Sequence, residues 1–269
     1  MNKLRNIILI LAVLAAGISC SGEKEETGTE PLVIAMELQY PPFEMSDPDG
    51  NPAGISVDIA RALGNYLERP VVIENTAWTG LIPALQTGKA DLILSSMSIT
   101  EERSRVVDFS DPYIRSGLAL LLSLDSPAES FEDLNGEGRI VVVKSGTIGA
   151  NLAVKTLPLA DVRIFEEVAA CVLEVVQGKA DAFIYDPLTV YENHNRNRET
   201  TRVNLESLPG SEGDWGMAVK KGNEELLEQV NAFIRESRAA GGFDRIAEPY
   251  LGDMMARFDE NNLPFFFDF

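Results

Sequence analysis

The stretch Ala90-Asp-Leu-Ile-Leu-Ser-Ser-Met-Ser-Ile-Thr-Glu-Glu-Arg-Ser-Arg-Val-Val-Asp-Phe-Ser110 carries a strand, a run of hydroxyl residues and a helix start in one short segment. Asp91 to Ser95 reads as a strand, its apolar centre Leu92-Ile-Leu94 having the uninterrupted pattern of a strand buried on both faces. Ser95, Ser96 and Ser98 follow, and a helical segment begins directly after them. Ligands of open α/β sheets bind beyond the carboxyl ends of strands, where free N–H groups at a helix start favour an anion. Arg103 adds a planar fork suited to a carboxylate. The same residues fit a purely structural role, with Ser98 and Glu101 as a capping box and Arg103 as a surface charge. Spacing alone leaves both open.

Upstream, Leu32 to Ala35 reads as a strand. Val57, Ile59, Ala60, Leu63, Tyr66 and Leu67 then recur at helical spacing behind Ser56, a candidate N-cap. Val71 to Ile73 is a second strand and Leu81 to Gln86 a short helix. Strand and helix in alternation predict an α/β lobe with a largely parallel sheet. A break rich in Ser, Pro, Asp and Glu spans Asp125 to Glu132. A second series follows, with strands at Arg139 to Val143, Val162 to Phe165 and Ala182 to Tyr185. Helices fall at Ile148 to Lys155, Glu167 to Gln177 and from Pro187 onward. Two such units in one chain imply two lobes with a cleft between them. Trp215 to Val219 reads as a last strand, with helices near Asn223 to Arg238 and Phe243 to Leu251; periodicity does not say which lobe they join.

The 269 residues, 45% of them hydrophobic, suffice for two cores. Acidic residues outnumber basic ones 42 to 23, a net charge of -19 that repels phosphate backbones and argues against nucleic-acid binding. Lys3 and Arg5 precede the twelve residues Ile7 to Ile18, an apolar run shorter than the ~20 needed to span a bilayer. Residues 1–20, ending in Gly17-Ile-Ser-Cys20, resemble a bacterial lipoprotein signal, which implies cleavage, lipidation of Cys20 and attachment to the membrane. Residues 21–30 have no large apolar side chain and read as a flexible tether. The other cysteine, Cys171, lies in an apolar helical stretch and reads as a buried, inert thiol.

Several further segments carry a resemblance. Tyr40-Pro-Pro-Phe-Glu44, Gly54-Ile-Ser-Val-Asp-Ile-Ala60, Trp78-Thr-Gly-Leu-Ile-Pro-Ala-Leu-Gln-Thr-Gly-Lys-Ala-Asp91, Ser96-Met-Ser-Ile-Thr-Glu-Glu-Arg103 and Val107-Asp-Phe-Ser-Asp-Pro-Tyr113 are among them. Val143-Lys-Ser-Gly-Thr147, Gly178-Lys-Ala-Asp-Ala182 and Val219-Lys-Lys-Gly-Asn223 complete the set. Together, over residues 32–251, the chain resembles the polar-amino-acid solute-binding proteins of ABC importers. The resemblance implies a periplasmic-binding-protein-like α/β fold of two lobes joined by a two-segment hinge. Lobe 1 would comprise residues 31–113 plus 213–253, and lobe 2 residues 118–209. A tail, 254–269, extends past the family's usual end, and its apolar residues would pack on a lobe. The implied activity is capture of a polar or charged amino acid by hinge closure and delivery to a permease. The chain would act as a monomer on the outer or periplasmic face of the membrane, without cofactor or metal.

Matched position by position, the resemblance places the ligand α-carboxylate on Arg103, with the hydroxyl and N–H of Ser98. The α-ammonium would meet Asp186, Ser96 and Ser95, and Thr147 and Ile148 would offer N–H groups from lobe 2. Tyr40 and Trp78 match aromatic positions that sandwich the ligand side chain. Glu37 matches an acidic position facing that side chain, while Lys144 sits beside the lobe 2 loop. If the two face one another their charges offset and suit a neutral side chain such as glutamine; if Lys144 points away, Glu37 favours a basic one. Asp186, just before Pro187, equally fits a simple N-cap.

Other chemistries lack their residues. His194 is the one histidine, and no Cys, His and carboxylate cluster has zinc-ligand spacing. Ser145-Gly-Thr-Ile-Gly149 lacks the full phosphate-loop pattern, and no Gly-x-Ser-x-Gly elbow occurs. Two alternatives stay open on the same fold: a ligand-binding sensor component, and an enzyme resembling cyclohexadienyl dehydratase with Glu37 or Asp186 as acid or base.

Overall fold

The computed structural model describes residues 30–211 and 213–260. The signal segment, Cys20, the tether before Glu30 and the Phe-rich end of the tail lie outside the described residues. Two five-stranded sheets organise the rest, one per lobe. In lobe 1 the order is Val71–Asn75, Leu32–Met36, Leu92–Ile93, Ala218–Lys220, Val107–Phe109. In lobe 2 it is Asp161–Phe165, Ile140–Lys144, Ala182–Tyr185, Ala119–Ser123, Thr201–Asn204. The fold is α/β with two sheet-bearing lobes, as the sequence implies.

Neither sheet is uniformly parallel, and the exceptions follow from the chain path. Leu32–Met36 pairs in parallel with Val71–Asn75 and with Leu92–Ile93, whereas Ala218–Lys220 runs antiparallel to both of its neighbours. In lobe 2, Ala119–Ser123 runs antiparallel to Ala182–Tyr185 and to Thr201–Asn204. Each reversed strand is the first one formed after the chain crosses between lobes. A segment that enters at the cleft, where the parallel strands end, has to run back against them. The strand Ala218–Lys220 and the helix Glu224–Ala239 behind it thus join lobe 1, the point periodicity left open. The crossings lie side by side: Tyr113 and Trp215 donate their N–H groups to Trp215 and Ile114 carbonyls at 2.9 and 2.8 Å, and Gly213 donates to Ser116 at 3.2 Å.

The sequence patterns explain most elements. Every residue of Ala119–Ser123 is buried, because helices cover both faces of a central strand. The sequence reading places no strand here, nor at Val107–Phe109 or Thr201–Asn204. Lobe 1 buries Leu32, Ile34 and Met36 against Ile59 and Leu63 of the helix Ile55–Tyr66, each side chain stabilising by about 1.5–3 kcal/mol. Cys171 is fully buried, and burial pushes its thiol up to about 12.

Four sequence expectations are corrected. The N-cap of Ile55–Tyr66 is Gly54 at φ 114, a left-handed position; Ser56 lies inside the first turn and donates its hydroxyl to Glu44. Thr100, not Ser98, caps the short helix Glu101–Ser104, accepting the Arg103 N–H at 3.2 Å. The Asp91 to Ser95 strand is only Leu92–Ile93, since the chain turns away to present its hydroxyls. The last helix, Gly242–Glu260, runs through residue 253 without a break, because Met254 and Met255 keep packing on the lobe 1 core.

Candidate ligand-binding cleft

The cleft gathers the carboxyl ends of parallel strands from both lobes. On the lobe 1 side, Glu37 follows Leu32–Met36, and Ser95, Ser96 and Ser98 follow Leu92–Ile93. Arg103 sits in the helix Glu101–Ser104 and Trp78 opens the short turn Trp78–Gly80. Lobe 2 contributes Lys144 from the end of Ile140–Lys144, Thr147 and Ile148 from the start of Ile148–Thr156, and Asp186 from the cap of Pro187–Arg196. One cavity, about 530 Å³ of free space including its mouth, is lined by ten of the eleven residues expected at the site. Only about 50 Å³ of it is enclosed, so the two lobes stand close together over the site. Lys144, the eleventh, reaches it through Glu37.

The charged groups include one ion pair that crosses between the lobes. Lys144 Nζ donates to Glu37 Oε2 at 2.7 Å across the lobes, with both residues buried. The other Glu37 oxygen accepts the Trp78 N–H at 3.1 Å, which pins the carboxylate. Of the two geometries left open for this pair, the facing one is realised. Arg103 Nη1 donates to the Ser98 carbonyl at 2.7 Å and Nη2 to the Gly146 carbonyl of lobe 2 at 3.0 Å. Its guanidinium lies 5.3 Å from the Trp78 ring centroid, within cation–π range. Burial lowers it to about 10, so it stays charged at neutral pH. Gly146, at φ 68, permits this closure: a Cβ there would come 3.3 Å from the Trp78 ring.

Asp186 uses one carboxylate oxygen as the helix cap and turns the other toward the cavity. Oδ1 accepts the Thr189 N–H at 2.9 Å and caps the helix. Oδ2 is buried with no hydrogen-bond partner among the described residues. Burial raises its pKa, with the Thr189 N–H and then the neighbouring Tyr40 hydroxyl, which falls short of hydrogen-bond geometry, pulling the other way. A buried carboxylate oxygen left in this state costs about 1–3 kcal/mol or more. Burial, then the Asp186 charge, hold the Tyr40 phenol well above its usual range.

Six lining residues had not been assigned a place in the site: Glu44, Ser116, Gly117, Leu118, Tyr185 and Trp215. Glu44 closes the Tyr40-Pro-Pro-Phe-Glu44 segment and Tyr185 precedes Asp186, so each has a neighbouring site residue as its signal. The other four belong to the crossing segments, whose route through the cleft has no periodicity to betray it. Trp215 packs edge-on to Tyr40 and Phe43, with ring centroids 5.8 and 5.0 Å apart.

Two α/β lobes with charged groups meeting in a cleft between crossing segments define a binding protein of the two-lobed, cleft-closing class. Residues 32–253 match the model of the bacterial extracellular solute-binding proteins, family 3, and the chain belongs to that family. The ABC transporter glutamine-binding protein GlnH of Bacillus subtilis is 28% identical over 91% of this chain and 93% of its own length. An ancestral arginine-binding protein bound to glutamine superposes with a TM-score of 0.75 at 32% identity, covering 82% of this chain and 98% of that one. The ancestral amino acid-binding protein AncCDT-1, a precursor of cyclohexadienyl dehydratase, gives a TM-score of 0.74 at 36% identity, covering 82% and 95%.

Proposed function

We propose that this protein is the extracytoplasmic receptor of an ABC importer and captures a free amino acid with an uncharged polar side chain, glutamine being the type. The observation that carries the reading is the buried Lys144–Glu37 pair. Because those charges offset, the cleft retains Arg103 for a carboxylate and Asp186 for an ammonium, the complement of a zwitterion whose side chain is neutral. Ser98 supports the carboxylate beside Arg103, with N–H groups of Thr147 and Ile148 from the facing lobe. Ser95 and Ser96 join Asp186 around the ammonium, and Tyr40 and Trp78 flank the side chain. The two lobes, 31–113 plus 213–253 and 118–209, close about the crossing segments and carry the ligand to the permease.

A thermal-shift screen of the twenty amino acids tests the choice of ligand, since binding to the folded form raises the melting temperature by mass action. L-glutamine is expected to give the largest rise; a larger rise with L-arginine refutes the neutral side chain. The receptor works as a monomer held to the membrane through lipidated Cys20, so labelled palmitate is incorporated by the wild type and lost in Cys20→Ala. The likeness to a dehydratase precursor motivates one enzymatic control: no phenylpyruvate is expected from prephenate.

A further inference from the structure

Beneath the cleft lies an acid that none of the roles above uses. Glu44, in the strand Glu44–Ser46, is 1% exposed and lines the same cavity. Its Oε2 accepts the hydroxyls of Ser56 at 2.6 Å and Ser96 at 3.1 Å, and Oε1 faces the Ser95 hydroxyl at 3.4 Å. The Ser95 oxygen already accepts the Glu37 N–H at 2.9 Å, which directs its own proton toward Glu44. Ser96 holds φ 49, a left-handed conformation uncommon for serine, and this turns its hydroxyl onto the acid. Three hydroxyls donating to one carboxyl group favour its ionised form, whereas complete burial favours the neutral one. Burial prevails, lifting Glu44 to about 8, helped by the Glu37 charge and opposed by the three serines.

Other titratable groups pack around it. Tyr40 on the paired strand, Tyr113 on the crossing segment and Tyr185 from lobe 2 are phenols held above their usual range by burial first. Glu37 is engaged by Lys144, while Arg103 and Asp186 line the cleft with Glu44. The shelf that the ammonium would rest on, Ser95 and Ser96, is the one whose hydroxyls reach Glu44.

We infer that Glu44 is a positioning residue whose charge is switched on by the ligand: an ammonium settling against Ser95 and Ser96 drives the Glu44 proton out to solvent, and the resulting carboxylate orients both serines toward the bound cation. Capture near neutral pH is then coupled to proton release, and affinity rises with pH until the ligand's own amine deprotonates. This rests on the zwitterion-binding reading proposed above.

Calorimetric titration of the mature protein with L-glutamine at pH 7.5, in phosphate, HEPES and Tris buffers of different ionisation enthalpy, counts the released protons. A group titrating at about 8 is roughly three-quarters protonated at that pH, so the wild type is expected to release about 0.5–0.7 proton per ligand beyond the Glu44→Gln variant. Any proton from Asp186 leaves in both proteins and cancels. Ser56→Ala, which removes the 2.6 Å donor from a residue remote from the ligand, shifts the pH of maximal release upward and serves if Glu44→Gln fails to fold. Equal release by wild type and Glu44→Gln, or an unmoved profile in Ser56→Ala, overturns the inference. If L-glutamine does not bind, the choice of ligand fails and the titration is run with whichever amino acid does; if none binds, the zwitterion reading and this inference fall together.

Discussion

Replacing Lys144 with methionine keeps an unbranched apolar stem at the end of Ile140–Lys144 and removes only the charge that meets Glu37 at 2.7 Å. At that separation and an effective dielectric constant near 20, the gross Coulomb attraction is about 6 kcal/mol. Desolvating both groups offsets much of it, leaving a net ~2–3 kcal/mol for a well-placed buried pair. In the variant, Glu37 keeps its bond from the Trp78 N–H but lacks a cation, and a closed cleft cannot hydrate it. A neutral ligand must close over that uncompensated charge; a ligand with a guanidinium or ammonium side chain supplies the missing partner itself. The preference for L-arginine over L-glutamine therefore increases by about 30- to 150-fold in Lys144→Met. Titration calorimetry of both ligands against both proteins measures the ratio directly. A ratio within threefold of wild type, in a variant with unaltered melting temperature, refutes the idea that this pair sets side-chain preference.

The remaining expectations use the same cleft. Asp186→Asn preserves the N-cap of Pro187–Arg196, because asparagine accepts the Thr189 N–H equally well, yet it removes the carboxylate charge. Ligand affinity should fall by about 10- to 150-fold, the worth of a charged hydrogen bond, with the unliganded melting temperature nearly unchanged; equal affinity would show that Oδ2 meets no ammonium. Glu44 is raised in the folded protein to about 8 from an ordinary 4.5, so the fold holds the extra proton between those values and loses stability as pH rises through them. Denaturant titrations of the unliganded protein should show a decline approaching ~1.4 kcal/mol per pH unit from this group, flattened in Glu44→Gln. A slope identical in the two proteins removes Glu44 as the cause. Small-angle scattering should show a smaller radius of gyration at saturating ligand, and an unchanged radius counts against closure about the crossings.

What the sequence revealed and what it hid divide along the range of the interactions. Leu92-Ile-Leu94 announces a buried strand, and Tyr185-Asp-Pro187 announces a strand end followed by a capped helix, because strand burial and capping are local. The reversed strands could not be read this way. Nothing within Ala119–Ser123 says whether it runs with or against Ala182–Tyr185; the direction comes from which end of the sheet the crossing segment reaches. The arginine makes the same point. Arg103 stands in a recognisable segment, but its bond to the Gly146 carbonyl and its stacking on Trp78 depend on the other lobe arriving.

The Lys144–Glu37 pair takes this furthest, for its members are 107 residues apart and on different lobes. Each is unremarkable in its own segment, where a lysine after a buried strand or a glutamate after another would ordinarily face water. Only in the closed form do they exclude solvent from one another, so their attraction contributes to closure. The Arg103 bond to Gly146 and the contact of Asn151 Nδ2 with Glu102 at 3.5 Å act in the same direction. A ligand favours closure only through contacts absent from the open form. Here the Glu37 charge is already paired by Lys144, whereas Asp186 retains an oxygen with no partner among the described residues. The free energy by which binding biases closure should accordingly concentrate at the amino and carboxylate ends of the ligand, with its side chain acting mainly as a filter on what the closed cleft admits.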